Sequence, residues 1–475
     1  MKKLLFLLFP TGLFAQSLSL QQAINTAQSN SPFAKQIKAN YTAQQWRYKE
    51  AQAMQLPQIS LGGTIPGYFR EIGNVTQPDG SLLFQNYSRA FSNASFRVEQ
   101  ALMATGGTVS LRSGMERIDV FGNNRSTFWA SQPLMLSYSQ PLFQINRLKW
   151  NWQQTQLQYA SATRQQIEQL EDLAVAVTGK FFSLHLARLQ LRNAEYNRAI
   201  NDTIYTVSKG RFSLGKIAES DLLQVEYGLM NARNGVEQQT LRIKITEKEL
   251  NILLTGNPDG GHLDVQPPLN VPNIDPDPVK AINEAKTNRS DYKSFELQEN
   301  MARMNLKSAE ISRRFTADLN VSIGFNQTAP TLGQSYQNIQ GSQSAFVGFN
   351  IPIANFGRAK ANFEAVKYTL DSKLEQLKND RNTLEMEVYN QVIELKQLKT
   401  SLALSAKADT IAQKRYEVSK NRYLIGKIEI RDLFIAQNEK DSALITYIQS
   451  LQSYWVAYYR LRRLCLYDFE EDKKL

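Results

Sequence analysis

Side chains able to do covalent or metal chemistry are few in this 475-residue chain: two histidines, one cysteine and a scatter of carboxylates. Neither His185 nor His262 has a second ligand at the spacing a metal site needs. No glycine-rich stretch reads as a phosphate loop and no nucleophile elbow is present. "GNPDGG" from Gly256 reads as a turn, and His185, inside a helical stretch, reads as structural. Cys465 has no partner for an internal disulfide and reads as a small apolar side chain. The chain is therefore not expected to be an enzyme, and no catalytic residue, metal or cofactor is expected.

Two carboxylates stand out by repetition. "RFSLGKIAESDLL" begins at Arg211 and "RYLIGKIEIRDLF" at Arg422, aligned without a gap at an offset of 211. The longer windows from Tyr205 and Tyr416 match at 10 of 18 positions. Asp221 of the first copy corresponds to Asp432 of the second. Each follows a glycine, Gly215 or Gly426, where one long helical stretch gives way to another; glycine supplies the positive φ of a tight reversal. Asp221, with Gln224 three residues on, reads as an N-cap in a capping box. Asp432 reads as the equivalent cap, with Ile435 in place of the glutamine. A carboxylate there is favoured by the free N–H groups of the first turn. Around these acids lie Arg211, Leu214 and Lys216 in one copy and Arg422, Ile425 and Lys427 in the other.

The turns belong to a duplicated chain. The same offset pairs Pro141 of "LSYSQPLF" with Pro352 of "VGFNIPIA", both read as strand-to-helix turns. "QQAINTAQSN" from Gln21 resembles "VKAINEAKTN" from Val279 at an offset of 258. The first half thus holds roughly 47 extra residues before Pro141, and duplication of this kind sets the architecture. Residues 16–266 form the first repeat and 279–467 the second. "PPLNVPNIDPDP" (267–278) is a Pro-rich connector, expected to run extended outside the helices. The polar tail 468–475 is expected to fray. Residues 1–15, with Lys2 and Lys3 before the apolar Leu4 to Phe9 and a small residue at Ala15, read as a secretory signal peptide. The mature chain then starts at Gln16 with no cysteine for a lipid anchor.

Long helices must position the tips. They are expected over Leu18–Leu56, Ile145–Ser208 and Ala218–Leu254, and again over Pro278–Arg314, Gly357–Ser419 and Ile430–Leu464. A 60-residue helix is about 90 Å long, more than a compact domain holds. Leu374, Leu377, Leu384, Val388, Leu395, Leu398 and Leu402 fall on a and d positions of one heptad frame, interrupted at Arg381 and Gln391. Leu170, Leu173, Val177, Leu184, Ala187, Leu191 and Ala194 form the matching frame, broken at Lys180. Such seams mean coiled-coil packing. The net charge of +11 is dispersed along these helices, which excludes the concentrated basic face of a nucleic-acid binder.

The remaining segments alternate like strands, starting at Pro57, Ala94, Gly107 and Pro133 in the first half and at Thr316 and Ser344 in the second. Each has about 9 to 12 residues, the length of a tilted strand in a bilayer. Aromatics such as Tyr68, Phe69, Phe143, Phe325 and Phe349 lie near their ends. No later segment is apolar for the 18 or so residues of a helical span. Four to six strands cannot close a barrel, which takes about eight, and an open edge cannot face lipid. Either copies of the chain assemble, or the strands lie outside a membrane.

Several of these stretches together carry a resemblance: the leader, "AMQLPQISL" from Ala53, "SQPLF" from Ser139, "FGRAKA" from Phe356 and the two glycine tips. In this order, over nearly the whole mature chain, they resemble the TolC family of outer membrane efflux proteins. The resemblance implies a mainly α fold with a transmembrane β part. Duplicated coiled-coil hairpins would form a periplasmic tube joined to an outer-membrane β-barrel of three chains. It implies a homotrimer embedded in outer membrane lipid, working with a periplasmic adaptor and an inner-membrane pump in a Gram-negative bacterium. The tips around Leu214–Gly215 and Ile425–Gly426 would meet the adaptor, and residues just after the second tip would form the constriction. Some members carry two acidic rings three residues apart; here the first maps to Asp432 and the second to Ile435. The extra first-half stretch, including "LMATGGTVSL" from Leu102, exceeds the usual two strands per half. The leading function is a passive export conduit. The alternative is a periplasmic coiled-coil structural or adaptor protein without a pore.

Overall fold

The computed structural model describes residues 17–76, 79–122, 125–268 and 270–475. The leader reading over 1–15 and the start at Gln16 lie outside the described residues. The first half runs β1 (Leu18–Ser19), α1 (Leu20–Asn30), α2 (Pro32–Ala53), β2 (Gln58–Thr76), β3 (Leu82–Leu102), β4 (Gly107–Phe121), β5 (Ser126–Leu142), α3 (Arg147–Ser213), α4 (Glu219–Thr255) and β6 (Val265–Gln266). The second runs α5 (Pro278–Asn288), α6 (Ser290–Ile311), β7 (Thr316–Ala329), β8 (Gln340–Asn350), α7 (Arg358–Leu424), α8 (Ile430–Cys465), β9 (Tyr467–Asp468) and β10 (Lys473–Lys474). Helices α3 and α7 each have 67 residues, and both ends of α7 fall 211 positions after those of α3.

The opening stretch of each half is two helices rather than one. Pro32 disfavours helical backbone in the residue before it, and Ser31 sits at φ −65° and ψ 147°. Arg289 takes the same conformation in the second half without a proline. There the next helix starts on a buried acceptor: the backbone N and Oγ of Ser290 both donate to Glu168, each at 2.7 Å.

Contacts divide the chain into two units, each drawing on both halves. Among the described residues the first comprises 17–42, 161–292 and 380–475. Its core packs Phe181, Phe182 and Leu184 of α3 with Val388 and Leu395 of α7 and with Leu451, Tyr454 and Leu461 of α8. The heptad seams are the buried or half-buried faces of α3 and α7, and Lys180, the break in the first, pairs with Glu249 at 2.9 Å. The connector is laid along α7 and α8: Lys396 and Lys399 reach Asp275 and Asn273, and the Tyr454 hydroxyl donates to the Pro272 carbonyl at 2.6 Å.

The tail does not read as frayed in this fold. Asp468 is buried and accepts from Arg462 at 2.7 Å and from the Tyr458 hydroxyl at 3.0 Å, while β9 and β10 pair. One buried carboxylate anchors a segment whose composition alone suggested solvent.

The second unit comprises 43–160 and 293–379 and holds one antiparallel sheet of six strands, in the order β2-β3-β4-β5-β7-β8. The strands have 11 to 21 residues, mostly longer than expected. Pro141 is corrected from a turn residue to the penultimate residue of β5, opposite Asp318. The turn follows at Phe143, with φ 56°. Pro352 lies just beyond β8, and Phe356 and Gly357, at φ 46° and 88°, complete the turn into α7.

Candidate functional site

The ends of α3 and α7 are built alike. Gly215 and Gly426 have φ of 68° and 76°, as the sequence led one to expect. The Gly215 N–H donates to the Phe212 carbonyl and the Lys216 N–H to the Arg211 carbonyl, both at 2.9 Å. Gly426 and Lys427 repeat the pair on Tyr423 and Arg422, again at 2.9 Å. These are Schellman turns, which satisfy the last carbonyls of a helix through a residue in the left-handed region.

The fold brings the two tips together. Ile204 of α3, Val225 of α4, Tyr416 and Tyr423 of α7, and Leu433 and Ala436 of α8 form one buried cluster. The hydroxyls of Ser208 and Tyr423 lie 3.2 Å apart, and the Arg211 guanidinium sits 5.5 Å from the Tyr423 ring centroid. Arg211, Lys216, Asp221, Gly426, Glu429 and Arg431 line a cleft of about 740 Å³. Outside it, Leu214 and Ile425 are 70% and 66% exposed, and Arg422 and Lys427 are also exposed.

The capping roles of Asp221 and Asp432 need correction. The N-caps are Ala218 and Glu429, and neither caps with its side chain. Asp221 and Asp432 are each the third residue of their helix, because the chain turns helical as soon as the reversal ends. Both still lie in the first turn, where exposed N–H groups favour a negative charge. On α8 the buried face carries Leu433, Ala436 and Lys440. The opposite face exposes Asp432, Ile435, Glu439, Ser442, Thr446 and Gln449, with Ile435 its one apolar member.

Sequence reasoning missed the polar layer above this cluster. Lys440 is 3% exposed and its ammonium donates to the amide oxygens of Asn193 at 3.0 Å and Asn197 at 3.3 Å. It lies 4.5 Å from the Tyr416 ring centroid, a cation–π distance. Asp441 accepts from the Nδ2 atoms of the same two asparagines at 2.6 and 2.7 Å. The layer ties α8 to α3. Burial, with nearby anionic groups, pushes the Tyr416 phenol well above its ordinary pKa, so it stays neutral. Neither histidine belongs to a metal set: among the described residues no cluster of three or more metal-ligating side chains occurs. His185 is half-buried, and burial lowers its pKa. His262 faces Glu247 at 3.0 Å.

The sheet has two chemically distinct faces. Gln58, Glu99, Ser110, Ser137, Ser322 and Ser344 lie side by side across all six strands. The adjacent row on the other face runs Ile59, Val98, Leu111, Leu136 and Ile323, and ends on Gln343 in β8. Leu61, Phe96, Phe325, Val347 and Phe349 extend this apolar face and are 43% to 77% exposed. No helix among the described residues is long and apolar enough to cross a membrane. A solvent-sized apolar sheet face with a polar reverse is the pattern of a lipid-facing barrel wall.

The sequence pattern of the outer membrane efflux protein family matches residues 101–256 and 281–465, covering both tips. The chain belongs to this family. It is an outer membrane efflux protein. The efflux protein shares its fold with a membrane protein from Pseudomonas aeruginosa, at 16% identity over 95% of this chain and 91% of that one, with a TM-score of 0.68. VceC from Vibrio cholerae is similar at 11% identity over 95% and 96% of the two chains, with a TM-score of 0.67. The Campylobacter jejuni outer membrane channel CmeC is similar at 13% identity over 94% and 85%, with a TM-score of 0.65. At such identities the likeness is one of fold. No curated protein sequence matches the chain.

Proposed function

We propose that three copies of this efflux protein assemble into a passive conduit whose tips engage a periplasmic adaptor fed by an inner-membrane pump. The observation that carries this reading is the pairing of two identical turns on one apolar cluster, with Leu214 and Ile425 left exposed beyond it. An exposed aliphatic side chain on a rigid turn, flanked by Lys216, Arg422 and Lys427, suits a docking partner with small apolar sockets and acidic surroundings. Self-assembly is supported by the helices. On α7, Leu404, Ile411 and Val418 recur every seven residues, Ile425 continues the spacing just past the helix end, and the four are 54% to 66% exposed. On α4, Leu223, Tyr227, Met230, Leu241 and Ile245 form a second exposed stripe, 50% to 70% exposed. A neighbouring copy laying α4 against α7 would cover both.

Beside the second tip, three copies of Asp432 and Ile435 would set a charged ring next to an apolar one, a constriction that closes by dewetting. The test of tip function is export. Gly215→Val together with Gly426→Val forces a β-branched residue into the left-handed region. In cells lacking other such channels, drug tolerance should fall while the protein still reaches the outer membrane as a trimer. Normal tolerance with both tips changed would remove the tips from the docking role.

A further inference from the structure

Strands β2 and β8 are the edges of the six-stranded sheet, and each has an unpaired ladder. Their side chains are exposed on both faces over nearly all described positions. An open edge is intolerable in lipid, where every backbone N–H and C=O must be paired. Every neighbouring pair in the sheet is antiparallel, so β2 and β8 run in opposite directions. The β8 edge of one copy can therefore continue into the β2 edge of another without breaking the pattern.

The sheet also carries its own register for that junction. Gln58, the first residue of β2, lies on the row that reaches Ser344 in β8, and β8 continues to Asn350. The strand ends next to the helices thus step down by six residues over the five steps from β2 to β8, and a level sixth step at the junction makes the mean one residue per strand. A stagger of one residue per strand, with a rise near 3.3 Å and strands about 4.8 Å apart, corresponds to a tilt of about 35°. Closed barrels have tilts of this size. Keeping the ends level puts Gln58 of the next copy opposite Asn350. Phe349 then faces Ile59, and Val347 faces Leu61, so apolar residues meet on one face while Asn350 meets Gln58 on the other.

The β2–β3 hairpin is the addition that makes six strands. The offset of 211 that lays α3 on α7 also lays β4 and β5 on β7 and β8, so β2–β3 has no counterpart in the second half. Yet the hairpin keeps the alternation of the sheet: Gln58 and Glu99 continue the polar row, Ile59 and Val98 the apolar one.

We infer that the β2–β3 hairpin is part of the barrel wall and that β8 of each copy pairs with β2 of the next, Asn350 opposite Gln58, to close a barrel of eighteen strands. The count rests on the trimer proposed above; the edge pairing does not. Such a wall is about 34 Å across between opposite backbones.

Cysteine pairs test it. Leu61→Cys with Val347→Cys, oxidised in outer membranes, should give covalent dimers and trimers on a denaturing non-reducing gel. Leu111→Cys with Val347→Cys should give none, because Leu111 lies inside the sheet between Val98 and Leu136. The native Cys465 is fully buried and stays silent. Cross-linking from the Leu111 pair alone would place the hairpin off the wall, with β4 as the true edge. No cross-linking from either pair in a protein of trimeric native mass would also overturn the inference. A native mass that is not a multiple of three, alongside cross-linking through Leu61, would reject the trimer while upholding the edge pairing.

Discussion

At the scale of residues, Asp432 and Ile435 are one turn apart on the exposed face of α8. Asp432→Asn removes the charge without changing size, so single-channel recordings should show weakened cation selectivity. If three copies of Ile435 form the proposed apolar ring, Ile435→Ser should wet it and raise conductance or open frequency. If both variants conduct like the parent, the constriction lies elsewhere. Lys440 makes a different prediction. Lys440→Ala removes a buried donor from the oxygens of Asn193 and Asn197, each then unsatisfied at a cost of about 1–3 kcal/mol. Amide exchange should rise in α3 near 193–201 and in α8 near 436–444; unchanged exchange would show that the layer does not hold the helices together. His185 gives a pH effect. Burial lowers its folded pKa below the ordinary 6.5, so the unfolded chain binds the proton more readily. Stability is intact above that value and is lost as the pH falls through it toward the lowered one. His185→Gln should flatten this loss, read as the difference in melting temperature between pH 7.5 and pH 5. The glycine turns were legible in the sequence because only a left-handed position gives glycine that role twice. The true N-caps were not, because Ala218 and Glu429 make no side-chain cap that composition could reveal. Lys440 was hidden as well: a lysine on a helix reads as solvated, and its partners lie 247 and 243 positions away.

At the scale of elements, hydrophobic period carried most of the information. The heptad seams of α3 and α7 are covered within the chain, as their spacing required. The second α7 stripe, Leu404 to Val418, is equally regular yet exposed, and it is the surface proposed above to meet another copy. Ile411→Glu should weaken the trimer, since burying such a side chain contributes about 1.5–3 kcal/mol per copy. Native mass after mild heating in detergent should show monomer at a lower temperature than in the parent. A trimer as heat-resistant as the parent would leave that stripe without a partner. Some features escaped the sequence because they depend on distant groups. The break at Arg289 has no proline to announce it, and its cause includes Glu168, more than a hundred residues earlier. The tail is held by Arg462 and Tyr458, so its acidic composition misled.

At the scale of the whole molecule, duplication sets the order of elements, while the two units each draw on both halves. The sheet arises from unequal contributions, four strands from the first half and two from the second, with one face mainly polar and the other mainly apolar. Alternation in the sequence already implied a two-faced sheet; the joining of the extra hairpin needed the strand register. The central claim is that this sheet stands in the outer membrane with lipid on one side and water on the other. Cysteine scanning along β7 in intact outer membranes tests it most directly, using a charged, water-soluble thiol reagent. Asn320, Ser322 and Asn326, on the polar face, should be labelled as cysteines, and Val321, Ile323 and Phe325, on the apolar face, should be protected. Equal labelling of both sets, or labelling of the apolar set alone, would contradict a barrel wall enclosing an aqueous channel.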